Sequence, residues 1–200
     1  LLIKPLFSID RSRFMNFSTP LPFSISLLGI LLGAALALTH LFGLLAPDLL
    51  LHEARTFSRS RFWGTVLLTV TTLWTLAMTA TTDLGEFNPM RHLLLVAILA
   101  GSILLWKFVP DFLSSRSLGF LLLLVANPVL QTTFLQHGLL KIMLTLLAYG
   151  WAVAGLFLVG MPYLYRDIIH WMSAAKWRWS ATSCAGLLYG IALIVLGLLG

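Results

Sequence analysis

The sequence predicts an all-α, polytopic integral membrane protein: a single transmembrane domain over residues 1–200, built as a bundle of about six membrane-crossing helices with an interfacial helix before the last. Three observations lead there. The chain is 59% hydrophobic and only 10% charged, with a mean hydropathy of +0.95, whereas a soluble domain keeps about a quarter of its residues charged so that its surface stays solvated. Its apolar residues fall in blocks of roughly twenty, the length a helix needs to cross about 30 Å of hydrocarbon. Runs such as Leu93–Leu105 and Leu139–Gly160 are apolar on every face, where membrane strands would alternate with period two.

Prolines punctuate the blocks, because each lacks an N–H and disfavours helix in the residue before it. The first helix is predicted over about 22–46, from Pro22 to Ala46, with Pro47–Asp48 as its stop. A basic loop, His52–Arg61, leads to a second helix over about 62–82. The third, about 89–109, starts after Asn88 with Pro89 in its first turn and stops at Val109–Pro110–Asp111. The fourth is placed at about 117–135 with Asn127–Pro128 inside it, and a short link at Gln136–Gly138 leads to the fifth, about 139–161, closed by Pro162. The last covers about 181–200. Between them, residues 163–180 read YLYRDIIHWMSAAKWRWS. Ile168, Ile169, Trp171, Met172 and Ala175 can share an apolar face there, and the tyrosines and tryptophans are residue types that settle at headgroup level, so this segment is predicted as an interfacial helix.

The sequence begins at Leu1 and ends at Gly200 while still apolar, so the count of six applies to these residues. The first twenty contain Lys4, Asp10, Arg11, Arg13 and two prolines and do not read as a signal peptide. Three spans end near proline, and Ser58–Gly64 (SRSRFWG) resembles Ser114–Phe120 (SSRSLGF). Repeated helical hairpins would leave such a trace, although low-complexity apolar sequence also produces it by chance.

The net charge of +6 does not indicate nucleic acid, since the thirteen basic residues are spread over short loops and no zinc-finger, RRM or phosphate-loop motif is present. Their expected role is to anchor helix ends among lipid headgroups, which makes membrane lipids the first predicted partner. Six crossings put Arg55, Arg59, Arg61, Lys107, Arg116, Arg166, Lys176 and Arg178 on one side, against Lys4, Arg11, Arg13, Arg91 and Lys141 on the other. That bias predicts both termini outside the cytoplasm, in a bacterial inner membrane. The lone Cys184 can form neither an internal disulfide nor a multi-cysteine metal site.

Small residues at helical spacing, Gly29, Gly33 and Ala37 in the first helix and Gly186 and Gly190 in the last, predict close packing within the chain or against another subunit. In the second helix Thr65, Thr69, Thr72, Thr75 and Thr79 project within about 120° of one another. They form either a packing face, with hydroxyls bonded back to the helix, or the lining of a polar cavity. Asn127, read as near mid-bilayer, is expected to face protein and bond to a neighbour, a carbonyl or a ligand, with Pro128 bending the helix. For a bis-histidine haem, ligands must meet at one depth, which leaves His92 with His137, or His40 with a residue of the opposite set; no attachment motif accompanies them and the cofactor stays undetermined. No metal site is predicted, as there is no H-E-x-x-H and the carboxylates, including the pairs Asp48/Glu53 and Asp83/Glu86, map to ends and loops. These features predict a non-catalytic multi-pass membrane subunit or assembly factor of a larger complex. The alternatives are a small-solute transporter or channel using the threonine face and Asn127, and a membrane-embedded enzyme or haem- or pigment-binding redox subunit.

Overall fold

The computed structural model describes residues 24–109, 111–134 and 136–199. The expectations for Lys4, Asp10, Arg11, Arg13, the helix start at Pro22, the stop at Pro110, and the ends at Leu135 and Gly200 fall outside them. The described residues form helices α1 (Ile25–Leu45), α2 (Pro47–Phe57), α3 (Arg61–Thr81), a 3-10 segment (Gly85–Met90) running into α4 (Arg91–Phe108), α5 (Leu113–Thr133), α6 (Leu139–Gly160), α7 (Tyr163–Ser173) and α8 (Lys176–Leu199). Six of them, α1, α3, α4 with its 3-10 lead, α5, α6 and α8, are long and apolar enough to cross a membrane.

The helix ends follow from local chemistry. Ser24 and Ser60 cap α1 and α3, accepting hydrogen bonds from the backbone N–H of Leu27 (3.2 Å) and Trp63 (3.3 Å). At the other ends of α1, α4 and α6, Ala46, Val109 and Met161 share one conformation, φ/ψ of −133/62, −127/57 and −129/69. Each precedes a proline, whose ring excludes the helical region at that position. The sequence echo at these prolines therefore has a backbone counterpart.

Three boundaries differ from the sequence reading. Most of the predicted loop His52–Arg61 belongs to α2, because Pro47 both ends α1 and occupies the first turn of a new helix, with Asp48 at its positive end and Arg55 at its negative end. The interfacial helix stops at Ser173 instead of reaching Ser180: after Ala174 and Ala175, Lys176 to Trp179 form the first turn of α8, which starts five residues before Ala181. Helix α5 starts at Leu113, four residues before Ser117. The turn before it closes through Phe112 in the left-handed region (φ 58°), with buried Leu113 directly following.

Close backbone approach defines the packing. A Cβ at Gly33 would lie 2.7 Å from the Gly190 carbonyl oxygen, and one at Gly190 would lie 2.7 Å from the Ala37 nitrogen. Gly197 sits under Ser26, and Gly186 lies beneath the His40 ring, so the small residues of α1 and α8 form one seam. Helices α5 and α6 meet likewise, Gly119 and Gly155 each facing the other's carbonyl. Parallel α3 and α5 are tied at their N-termini, where the Ser114 hydroxyl donates to the Ser60 carbonyl (2.6 Å) and the Ser117 hydroxyl to that of Gly64 (3.2 Å). Leu28, Ala126, Val129, Leu140, Leu144, Ala148 and Leu193 fill the core between α1, α5, α6 and α8. Outside this block lies α3, and beyond α3 lies α4, which packs mainly on α3 and has no buried residue.

The α1–α8 seam generates a direct test. Gly190→Leu should destabilise the folded chain by about 1–3 kcal/mol through overpacking, lowering its thermal unfolding midpoint in detergent. Gly150→Leu is the matched control, since a Cβ there meets nothing within 4 Å; it should leave the midpoint nearly unchanged.

Candidate functional site

Alternation of the six spans gathers the start of α3, α5 and α8 and the end of α1, α4 and α6 at one end of the bundle. Eight of the ten basic residues in the described segments lie there, and only Arg91 and Lys141 lie at the other end. The two short amphipathic helices, α2 and α7, pack together at this basic end, with the Phe57 and Tyr165 rings 5.5 Å apart. Burial pushes the Tyr165 phenol above its ordinary pKa, so this contact stays uncharged. Between the helices is a cleft of about 580 Å³ lined by Arg55, Ser58, Arg59, Ser60, Arg166 and His170, among others. Arg166 also pairs with the neighbouring Asp167 (3.1 Å), both side chains about half exposed, a contact worth little in free energy. Its guanidinium stands 6.0 Å from the Phe112 ring. The adjacent N-termini of α3 and α5 add their positive dipole ends, so this surface favours anions.

At the other side of α3, the threonine face meets α4. Thr65, Thr69, Thr75 and Thr79 each donate to the carbonyl four residues earlier (2.8–2.9 Å). Thr72 differs. The Ser102 hydroxyl donates to the Ile98 carbonyl, so the 2.8 Å contact between Thr72 and Ser102 is Thr72 donating across to α4. A second tie runs back from the Trp106 indole N–H to the Thr65 hydroxyl (3.3 Å). Beside this seam lies a groove of about 360 Å³ whose walls include Thr65, Leu68, Thr69, Thr72, Leu99, Ser102, Ile103 and Trp106. A second hollow of about 460 Å³, lined by Arg61, Phe62, Thr65, Trp106, Lys107 and Leu113, opens at its basic end. Thr75 and Thr79 line neither. The sequence names Arg61 and Lys107 only among the loop charges of this side and points to neither Ser102 nor Trp106, although Ser102 is the sole hydroxyl of α4.

Asn127 requires a correction. It is exposed, and its side-chain oxygen accepts from Gln131 (3.3 Å) one turn along the same helix instead of bonding to a neighbouring one. The earlier start of α5 moves it off the middle of the span, to within six residues of the helix end. The polar tie between α5 and α6 is made by Thr133, which is 2% exposed, donates to the Leu130 carbonyl and receives a bond from the Thr145 hydroxyl (3.3 Å). His40 uses Nδ1 on the Leu36 carbonyl (2.8 Å), and its ring fills the space above Gly186. His92 is exposed at the start of peripheral α4, whereas His137 is exposed in the link between α5 and α6. At that end Asp83 accepts from the Gly85 N–H and the Asn88 amide, which, with Arg91 nearby, holds its carboxyl below the ordinary value. Among the described residues no three His, Cys, Asp or Glu side chains are grouped to hold a metal.

No protein-family model, curated protein or solved structure matches the chain significantly.

The geometry predicts a contrast between two polar residues of α5. Asn127→Leu should change stability by no more than about 0.5 kcal/mol, whereas Thr133→Val should cost about 0.6–1.7 kcal/mol by removing the bond to Thr145. Unfolding midpoints of the two variants in the same detergent measure this; a larger loss at Asn127 would contradict the assignment.

Proposed function

We propose that the chain is inserted in a bilayer, most simply a bacterial inner membrane, with its basic end in the cytoplasm, and that it serves as a multi-pass subunit or assembly factor of a larger membrane complex. The carrying observation is α4. It is a full apolar span, none of its residues is buried, and it is joined to the bundle along the single seam with α3. Leu93 and Leu104, both more than half exposed, share the face turned away from that seam. Tight glycine seams hold the rest of the bundle, so α4 is the span free to take a neighbouring transmembrane helix. A solute pathway is less well supported, because the stripe threonines direct their hydroxyl hydrogens to backbone or to Ser102 and the groove beside them lies at the edge of the bundle.

The basic bias gives the sidedness its own test. In a Cys184→Ser background, cysteine introduced as Arg59→Cys should react with a membrane-impermeant thiol reagent only from the cytoplasmic side, and Glu86→Cys only from the other. The reverse pattern would invert the proposed orientation.

Assembly is tested by purification from native membranes in mild detergent, with the mass of the complex as readout. Leu104→Trp should release a partner that the wild type retains, whereas Leu146→Trp, on the exposed face of α6, should not. A wild type that is strictly monomeric, or a complex indifferent to Leu104→Trp, would sink the subunit reading at α4.

A further inference from the structure

We infer that the groove between α3 and α4 binds a membrane lipid with an anionic phosphate headgroup, its phosphate between Arg61 and Lys107 and one hydrocarbon chain laid along Thr65, Leu68 and Thr72. The inference does not depend on the subunit reading, which concerns the opposite face of α4.

Continuity comes first. The hollow at the basic end and the groove below it share Thr65 and Trp106, so a ligand in one extends directly into the other. Their individual volumes, about 460 and 360 Å³, fall in the range of roughly 300–1,000 Å³ usual for ligand sites. Depth agrees as well: Arg61 is the first residue of α3 and Lys107 the penultimate residue of α4. Both charges thus stand at headgroup level. From Arg61 to Thr72 the helix descends about 16 Å at 1.5 Å per residue, close to one leaflet of a hydrocarbon core about 30 Å thick.

Charge and hydrogen bonding then select the ligand. No carboxylate of the described residues lies within ion-pair distance of Arg61 or Lys107; Asp111 lines the next cavity with Arg61 but forms no salt bridge to it. An arginine and a lysine that converge without an acid suit a phosphate, which accepts from both. Deeper in, every wall hydrogen is committed: Thr65 and Thr69 donate to backbone, Thr72 to Ser102, Ser102 to Ile98 and Trp106 to Thr65. The wall therefore offers methyl groups, leucine side chains and an indole face, and no free donor to replace a solute's water shell. Such a surface accommodates hydrocarbon. Thr69, Leu99, Ile103 and Trp106 are exposed along it, so a lipid can enter sideways from the bilayer.

The test uses the full chain in detergent, titrated with phosphatidic acid or phosphatidylcholine and read by native mass spectrometry. One phosphatidic acid should bind at least tenfold more tightly than phosphatidylcholine. The pair R61Q/K107Q should lose that preference, while the charge-matched pair K141Q/K176Q, which lines neither the groove nor the basic cleft, should keep it. Leu73→Trp, which fills the groove and leaves both charges in place, should also weaken binding at least tenfold. Circular dichroism of each variant confirms folding, and the exposed positions of Arg61, Leu73 and Lys107 make the substitutions tolerable. Equal binding of the two lipids, equal loss in both charge pairs, or no effect of Leu73→Trp would overturn the proposal. Displacement by millimolar inorganic phosphate with the lipid tail making no contribution would recast the site as one for free phosphate and overturn the lipid. Release of a co-purifying helix by Leu73→Trp, with lipid binding unchanged, would make the groove a protein interface instead.

Discussion

Gly33 and Gly190 bring two helix backbones so close that a side-chain carbon on either would press into the other's main chain, and Gly119 and Gly155 repeat that arrangement between α5 and α6. In hydrocarbon there is little gain from moving one apolar side chain from lipid to a neighbouring helix. What remains is van der Waals contact, which grows steeply as backbones approach, and the few hydrogen bonds that cross between helices. The glycine seams therefore decide which helices form the rigid part. The first and last spans are zipped together, α5 is fastened to α6, and the apolar core lies where these pairs meet.

The remaining spans are held differently, and that difference creates the candidate site. Helix α3 joins α5 through Gly64, which lies against Leu113 and Ser114, and through serine hydroxyls near their common N-terminal ends, whereas α4 joins α3 through Thr72–Ser102 and Thr65–Trp106. Along the α3–α4 seam, side chains of this size keep the axes apart where glycine would not. A groove follows along the seam, and it opens at the end where Arg61 and Lys107 stand. The same substitution of hydroxyls for glycine thus accounts for both the loose edge and the cavity.

Much of the architecture was readable because helices long and apolar enough to cross a membrane declare themselves by length and composition, and because three pre-proline residues stop helices, although Asn127–Pro128 lies inside α5. Short amphipathic elements were harder. Pro47 is equally a stop for α1 and a first-turn residue for α2, and nothing local in the sequence decides between them. The start of α5 was misplaced because Leu113, Ser114 and Ser115 look like loop residues until Gly64 and Ser60 are seen to pack on them. That four-residue error carried Asn127 to mid-bilayer in the sequence reading and made it seem a buried site, when it pairs with Gln131 on its own exposed face. The threonine stripe was recognised, yet its two meanings differ only in where each hydroxyl sends its hydrogen. Thr72 is the one that crosses to another helix, and only the position of Ser102 reveals it.

The basic end unites the remaining features. Three proline-imposed stops leave the chain at the same end of the bundle, two of them are followed by an eleven-residue amphipathic helix, and the returning spans α3 and α5 begin there side by side. A proline that merely broke the helix would leave carbonyls and side chains in an unstructured loop. Here the broken chain turns along the surface and places Arg55, Arg59 and Arg166 around one cleft, while the first residue of α3 supplies Arg61 to the groove next to it. Four carboxylates, Asp48, Glu53, Asp111 and Asp167, share this end with eight basic residues, and Arg166–Asp167 is the one ion pair formed among the described residues. Uncompensated cations close together repel one another, and anions drawn to this end would relieve that repulsion, which is the charge arrangement the proposed lipid site uses. The excess of basic residues thus gives the folded chain an electrostatic reason to attract anions at the end where α2 and α7 lie.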